Sequence, residues 1–188
     1  MPTLRKDALR TRTSLLAAAE DLLSDDREAS FTEIAVAAGV SHTTIYRHFA
    51  DRTDLLIELM EMRMDRHEAE VADWDHGPED FERLLRLLAL EAAKFQGLMA
   101  ELRQREPDDV RFAKLMRRTA EAFRRPLESA QAAGRIRQDR TPEGSIALLM
   151  MIDAATAMHS DRTARENAAE VAIDVIVHGI GTGQPPRN

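Results

Sequence analysis

The stretch SFTEIAVAAGVSHTTIYRHF, residues 30–49, contains the start and stop signals of two short helices. Ser30, followed three residues later by Glu33, forms a capping-box pattern that predicts the first turn of a helix. Gly39 tolerates the left-handed backbone of a C-terminal cap and predicts the end of that helix. Ser41 is a favourable N-cap and predicts the start of the next one. The stretch therefore predicts two short helices joined by a glycine-containing turn.

The second of these helices has an apolar side and a polar side. Val40, Ile45 and Phe49 fall together and predict anchoring in a core. Two short helices packed on a longer one form a helix-turn-helix, whose second helix can enter the major groove of DNA. Thr can contact bases there, and Arg can donate two hydrogen bonds to guanine. The polar side carries the candidate DNA contacts His42, Thr43, Thr44, Arg47 and His48.

The start of the first short helix is a candidate phosphate contact. Ser30 and Thr32 can offer hydroxyl groups beside the free backbone N–H groups of a helix N-terminus. The net charge of −7 argues against a protein that coats nucleic acid non-specifically through a basic surface. Basic residues nevertheless cluster near the N-terminus, either as an arm attracted to phosphate or without a role. They are Arg5, Lys6, Arg10 and Arg12.

The composition indicates an all-α protein, and we expect about nine helices along the chain. Only 8 glycines and 7 prolines are present, and no run alternates as a β-strand does. The absence of cysteine excludes disulfide bonds and cysteine-ligated zinc. After a fourth helix at 52–74, we expect long helices at 79–105, 108–133, 142–159 and 163–180, the first of them kinked near Gly97.

Neither a leader nor a membrane span is predicted. The N-terminus has no uninterrupted apolar segment of the kind found in signal peptides. The longest nearly apolar run, residues 146–158, contains Asp153 and is too short to cross a bilayer. We expect a soluble, cytoplasmic protein.

Two helices near the C-terminus are apolar around much of their circumference, so they need cover on several sides. In a chain of this length a second copy is the simplest cover, which predicts a homodimer with two-fold symmetry. The alternative is that both helices are central within one subunit. The candidate interface residues are Leu148, Met151, Ile152, Ala155, Val171 and Val175.

Methionine is frequent, with 9 residues, and several fall on helices that would meet in the larger domain. Flexible thioethers suit an adaptable apolar binding site. Asp153, within an apolar run, could meet a cationic ligand group or pair with a neighbouring helix. The alternative for each methionine is ordinary core packing. The candidate pocket residues are Met60, Met64, Met99, Met116, Met150 and Asp153.

The segment FTEIAVAAGVSHTTIYRHFADRTDLL, residues 31–56, resembles the signature of the tetracycline-repressor (TetR) family of bacterial transcription regulators. A second segment, QAAGRIRQDRTPEGSIALLM at 131–150, is similar to the family's approach to its penultimate helix. The resemblance implies an N-terminal helix-turn-helix domain, a larger helical ligand-binding and dimerisation domain, and a four-helix dimer interface. We expect these domains at residues 1–52 and 53–183, followed by a flexible tail at 184–188.

The resemblance also implies roles for single residues. Ser30 and Thr32 would touch the DNA backbone or groove edge. Tyr46 and His48 would contact phosphate, as would Arg52, which stands where the family usually has a lysine. Thr43 departs from the pattern, since the family often has glycine or a small residue there. The residues that would face bases or nearby phosphates are His42, Thr43 and Thr44.

These features together predict a dimeric, ligand-responsive transcription regulator, most often a repressor in this family, that binds a pseudo-palindromic operator of double-stranded DNA. Its effector would be an unidentified small molecule. No catalytic or dinucleotide pattern occurs, so we expect neither enzymatic activity nor a cofactor or metal. The alternatives are a helical small-molecule-binding protein without DNA-binding activity and an enzyme in the large domain.

Overall fold

The computed structural model describes residues 2–25, 28–95, 97–105 and 109–180, so the tail predicted at 184–188 lies outside the described residues. The all-α fold is confirmed, and these residues form ten helices and no strand. Their bounds are α1 Pro2–Asp25, α2 Phe31–Ala37, α3 His42–His48, α4 Arg52–Ala72, α5 Asp80–Lys94, α6 Leu98–Arg105, α7 Val110–Ala122, α8 Arg124–Ala132, α9 Pro142–Thr156 and α10 Arg162–Ile180.

The predicted caps are confirmed and fix where the N-terminal helices begin. The Ser30 backbone N–H donates to Glu33 Oε2 at 2.7 Å, and the Glu33 N–H donates to Ser30 Oγ at 3.2 Å, which completes the capping box. Ser41 accepts from the Thr44 N–H at 3.2 Å and begins α3. Gly39, with a φ of 70°, makes the turn between α2 and α3.

The stretch predicted as one helix over 108–133 is two helices, α7 and α8. Pro126 explains the break, because it has no N–H to donate to the Ala122 carbonyl and its ring crowds that carbonyl. The chain turns at Phe123, which is fully buried. The predicted helix over 79–105 also divides, into α5 and α6, near Gly97 with its φ of 82°. These two breaks turn eight predicted helical ranges into the ten helices of the described residues.

Two buried clusters form the core, and α4 belongs to both. The first joins α1, α2 and α3 to Leu55, Leu56 and Leu59 of α4, with further cover from α6 and α7. The second joins α5, α8, α9 and α10 to the last turn of α4 and the residues just after it. Because α4 belongs to both clusters, it packs both on the helices around α3 and on those of the second cluster.

Two classes of feature are missing from the described ranges. None of their helices is long and apolar enough to cross a membrane. Nor do three or more of their His, Asp or Glu side chains come together in a way that could hold a metal ion.

Candidate nucleic-acid interface and effector cavity

Two apolar side chains and one cation hold α3 against the subunit. Ile45 and Phe49 are buried in the first cluster, and Val40 packs against it. The guanidinium of Arg12 lies 4.5 Å from the centre of the Phe49 ring and donates to the His48 carbonyl at the end of α3. This anchoring leaves the opposite side of α3 facing outward.

The outward side of α3 carries most of the predicted DNA contacts. His42, Thr43 and Arg47 are exposed. Thr44 is half-buried, and its hydroxyl lies 2.8 Å from Ser41 Oγ, so it shares in the N-cap of α3. Thr43 therefore presents the freer hydroxyl of the two threonines.

Tyr46, on α3, packs its ring against the rings of Phe31 on α2 and His42 on α3. Its ring centre is 5.1 Å from that of Phe31 and 4.8 Å from that of His42, and both pairs are tilted. The side chain is nevertheless 51% exposed, so it is not a core residue. These ring contacts limit the directions in which the Tyr46 side chain can point.

His48 lies at the end of α3, beside two arginines. Partial burial is the main cause that lowers its pKa, and the positive charges of Arg12 and Arg47 lower the pKa further. The imidazole is consequently neutral near pH 7. A neutral ring can donate one hydrogen bond to a phosphate oxygen but adds no charge to the contact.

The start of α2 is less suited to phosphate than predicted. Thr32 is exposed as expected. The hydroxyl of Ser30, however, is 2.7 Å from Glu33 Oε2 within the capping box. The Glu33 carboxylate is therefore next to the group that was expected to meet an anion.

Arg52 is half-buried and hydrogen-bonded within the subunit, whereas the sequence predicted that it grips phosphate. Its Nε donates to Glu101 Oε1 at 3.0 Å, and its Nη1 donates to the Ala29 carbonyl at 2.6 Å. These bonds tie the start of α4 to α6 and to the segment before α2. Two of the Arg52 donors are therefore already engaged within the subunit.

A cavity of about 150 Å³ lies between α4, α5, α7 and α9. The structure brings all six predicted pocket residues to its wall: Met60, Met64, Met99, Met116, Met150 and Asp153. Phe95 and Phe112 add aromatic surface. Sequence reasoning did not include Arg63 and His67, although both fall at helical spacing from Met60 on the same face of α4.

The polar part of the cavity wall is centred on Arg63. Its Nη1 donates to Glu20 Oε1 on α1 at 2.7 Å, and its other terminal nitrogen lies against the Glu91 carboxylate on α5. Burial lowers the pKa of Arg63 to about 10, so the side chain stays charged near neutral pH. Burial also lowers the pKa of His67, to about 4, which leaves that imidazole neutral.

The predicted dimer residues on α9 and α10 are mostly presented at the surface. Met151 is 60% exposed, and Val171 and Val175 are each 65% exposed. Leu148 and Ala155 are half-buried. Ile152 differs from the prediction, because it is fully buried in the second cluster and points away from this surface.

Two family models match the chain in tandem. Residues 15–59 match the model described as bacterial regulatory proteins of the tetR family. Residues 77–182 match the C-terminal domain of transcriptional regulators like SbtR. Both predicted parts of the chain therefore have counterparts in one family.

Individual relatives agree with these matches. A segment of 73 residues is 41% identical to the HTH-type transcriptional repressor LfrR of Mycolicibacterium smegmatis, and it covers 38% of this chain and 39% of that protein. A TetR regulatory protein from Mycobacterium vanbaalenii superimposes with a TM-score of 0.64 at 26% identity, covering 95% of this chain and 99% of that one.

The fold alone extends to more distant structures. FadR of Bacillus subtilis, solved with stearoyl-CoA, superimposes with a TM-score of 0.61 at 16% identity, covering 89% of this chain and 98% of that one. From the matched models and the shared architecture, the chain belongs to the TetR family of DNA-binding transcriptional regulators.

Proposed function

We propose that this protein is a dimeric repressor that binds a pseudo-palindromic operator through α3 and responds to a small-molecule effector. The observation that carries the proposal is the presentation of α3. Ile45 and Phe49 are buried while His42, Thr43 and Arg47 are exposed on the opposite side. A helix held in this way can enter a major groove without unfolding any part of its own core.

The proposed contacts divide into base readers and phosphate contacts. Thr43 is the primary reader, with His42 and Thr44 beside it, because these side chains occupy the first turn of α3. Arg47 and Tyr46 contact phosphate, and neutral His48 adds a hydrogen bond. Phosphate contacts supply affinity and fix orientation, whereas base contacts supply sequence preference.

Dimerisation supplies the second half-site. The exposed side chains Met151, Val171 and Val175 form an apolar surface on adjacent helices, α9 and α10. A second copy covers this surface by two-fold symmetry. Two copies of α3 can then read half-sites separated by about one helical turn of DNA, roughly 34 Å, or a multiple of it.

The effector site is the cavity beside α4. Its wall is mostly apolar, with methionines that adapt to different ligand shapes. A ligand changes operator affinity only by its preference for one of two arrangements of the dimer, typically by about 1–3 kcal/mol. LfrR is named as a repressor, and FadR was solved with an acyl-CoA, which supports repression and an apolar effector as starting expectations.

The proposal places the DNA-binding domain at residues 1–52 and the ligand-binding and dimerisation domain at 53–183. The first core cluster continues into α4 through Leu55, Leu56 and Leu59. The two proposed domains are therefore joined by a packed helix and not by a linker, and this supports direct coupling between them.

Selection of binding sites from random duplex DNA, followed by gel-shift titration of the selected site, tests the proposal. A repressor of this kind selects a pseudo-palindrome and binds it with an affinity that falls steeply as salt rises. If no sequence is enriched and binding is uniformly weak, the alternative of a small-molecule-binding protein without DNA-binding activity is favoured. Reporter repression in a cell that carries the selected site then separates a repressor from an activator.

A further inference from the structure

Arg63 connects the effector cavity to the DNA-binding helices. Its side chain is 9% exposed and forms part of the cavity wall. The guanidinium lies 3.9 Å from the centre of the Phe95 ring, between Glu20 of α1 and Glu91 of α5. One side chain of α4 thus holds α1 and α5 together at the surface that a ligand would touch.

The far side of α1 reaches α3. Arg12 donates to the His48 carbonyl at the end of α3 and pairs with Glu58 of α4. Arg12 and Glu20 are separated by roughly 12 Å along one continuous helix. A displacement of α1 at Glu20 is therefore carried to the residue that supports α3.

Resting on the proposed ligand response, we infer that Arg63 is the positioning residue that transmits occupancy of the cavity to α3 through Glu20 and α1. Separating the buried guanidinium of Arg63 from Glu20 breaks a charge-assisted hydrogen bond, which costs free energy even though Glu91 remains beside Arg63. A ligand that displaces Arg63 therefore moves Glu20 with it in preference to breaking the pair. The Arg63–Glu20 ion pair therefore couples the cavity to α1 directly, in addition to the coupling through α4 itself.

A matched control is available on the same carboxylate. Arg66 donates to Glu20 Oε1 at 2.8 Å, but its side chain is 56% exposed and borders the polar cleft outside the cavity. Loss of Arg66 removes one cation from Glu20 without altering the cavity wall. The Arg63→Gln and Arg66→Gln variants thus differ in access to the ligand while sharing a partner.

Hydrogen exchange of the full-length protein, with and without 4-phenylphenol as a neutral two-ring probe, tests the link. A cavity of this size accepts about one benzene-sized ring, so a second ring presses on the wall. Exchange in α5 and α7 reports binding, and exchange in α1 and α3 reports transmission. In the wild type we expect both regions to respond, with α1 and α3 changing by about fivefold or more.

The variants then separate binding from transmission. Arg63→Gln and Glu20→Gln should keep the response of α5 and α7 and lose that of α1 and α3, whereas Arg66→Gln should keep both. The double variant of Arg63 and Glu20 should resemble either single variant. Glu20→Gln decides the test if Arg63→Gln does not fold, because it leaves Arg63 paired with Glu91.

Two outcomes overturn the inference in distinguishable ways. If Arg63→Gln transmits as the wild type does, or Arg66→Gln loses transmission equally, the role of Arg63 is wrong while the effector cavity stands. If the probe leaves hydrogen exchange in α5 and α7 of the wild type unchanged, the cavity does not accept an apolar ligand. Both the proposed ligand response and transmission through Arg63 and Glu20 are then wrong.

Discussion

Arg12 and Glu58 join the first and fourth helices by a paired contact. Arg12 Nε is 2.6 Å from Glu58 Oε1, and the Nη2 group lies against Oε2. The hydrogen bond that Arg12 donates to Glu58 is the main cause that raises the pKa of Arg12, so the guanidinium stays charged at any relevant pH. Since the same group donates to the His48 carbonyl, the orientation of α3 depends on it.

Replacing Arg12 with Gln should weaken binding to every DNA sequence and lower stability by about 1 kcal/mol, since the pair is partly exposed to solvent. Base preference should not change, because Arg12 faces the subunit. Operator titration and chemical denaturation measure the two effects. Arg10→Gln is the control for the stability effect, since Arg10 is on the same helix and makes only a 3.7 Å pair with Asp7 at an exposed site. Equal losses of stability in the two variants would contradict the supporting role.

Thr43 and Arg47 should separate base reading from phosphate binding. Thr43→Ala should change preference at one base pair of each half-site by about 1 kcal/mol. Arg47→Gln should weaken all sequences alike and reduce the salt dependence of binding by about one unit of slope. Titration of the selected operator and its point variants at several salt concentrations measures both. If Thr43→Ala and Arg47→Gln change base preference and salt slope in the same way, the assignment of base reading to Thr43 and phosphate binding to Arg47 is wrong.

The residues that were predicted well are those whose roles are local or periodic. Ser30, Ser41 and Gly39 act on neighbouring backbone atoms, so a few residues of sequence determine what they do. The candidate methionines lie on the wall of one cavity because several recur at helical spacing, as Met60 and Met64 do on α4, and their contact with an effector stays a prediction.

The residues that were predicted poorly depend on distant partners. Arg52 is held by Glu101 of α6, and its contact could not be inferred from the start of α4. Ile152 and its neighbour Met151 are equally apolar, and only the packing of α9 on the second cluster decides which of them is exposed. Long-range pairing of this kind is set by the tertiary fold and leaves no local signal.

Arg52→Gln should act on stability more than on DNA recognition. The variant removes donors to Glu101 and to the Ala29 carbonyl, so we expect the free energy of unfolding to fall by about 1–3 kcal/mol. The salt dependence of operator binding should stay at the wild-type slope, in contrast to Arg47→Gln. If Arg52→Gln instead reduces the salt dependence of operator binding and leaves stability unchanged, Arg52 contacts phosphate as the sequence suggested.

Val175→Glu should convert the protein to a monomer. Val175 is 65% exposed on the proposed interface, so the substitution leaves the subunit core intact while placing a desolvated charge between two copies. Sedimentation velocity measures the oligomeric state. Val110→Glu, at a 76% exposed site at the start of α7, is the control and should leave the dimer unchanged. A Val175→Glu protein that remains dimeric would place the interface elsewhere.

His67 should make stability depend on pH in a defined window. Burial, followed by the positive charges of Arg63, Lys94 and Arg66, lowers its pKa from 6.5 to about 4. Between these values the unfolded chain binds a proton that the folded protein does not, so the free energy of unfolding falls as the pH is lowered from 6.5 to about 4. Replacing His67 with Gln should flatten this part of the curve in urea denaturation.

The Met116→Leu variant is the control for that experiment, because it changes the same cavity wall without changing a titratable group. Its stability should fall with acidification as steeply as that of the wild type. Above the window, the wild-type and His67→Gln curves should run parallel, since His67 is neutral there in both the folded and the unfolded state. If the wild-type and His67→Gln curves have equal slopes below pH 6.5, the folded protein protonates His67 as readily as the unfolded chain does. The cavity wall would then be better hydrated than the burial of His67 implies.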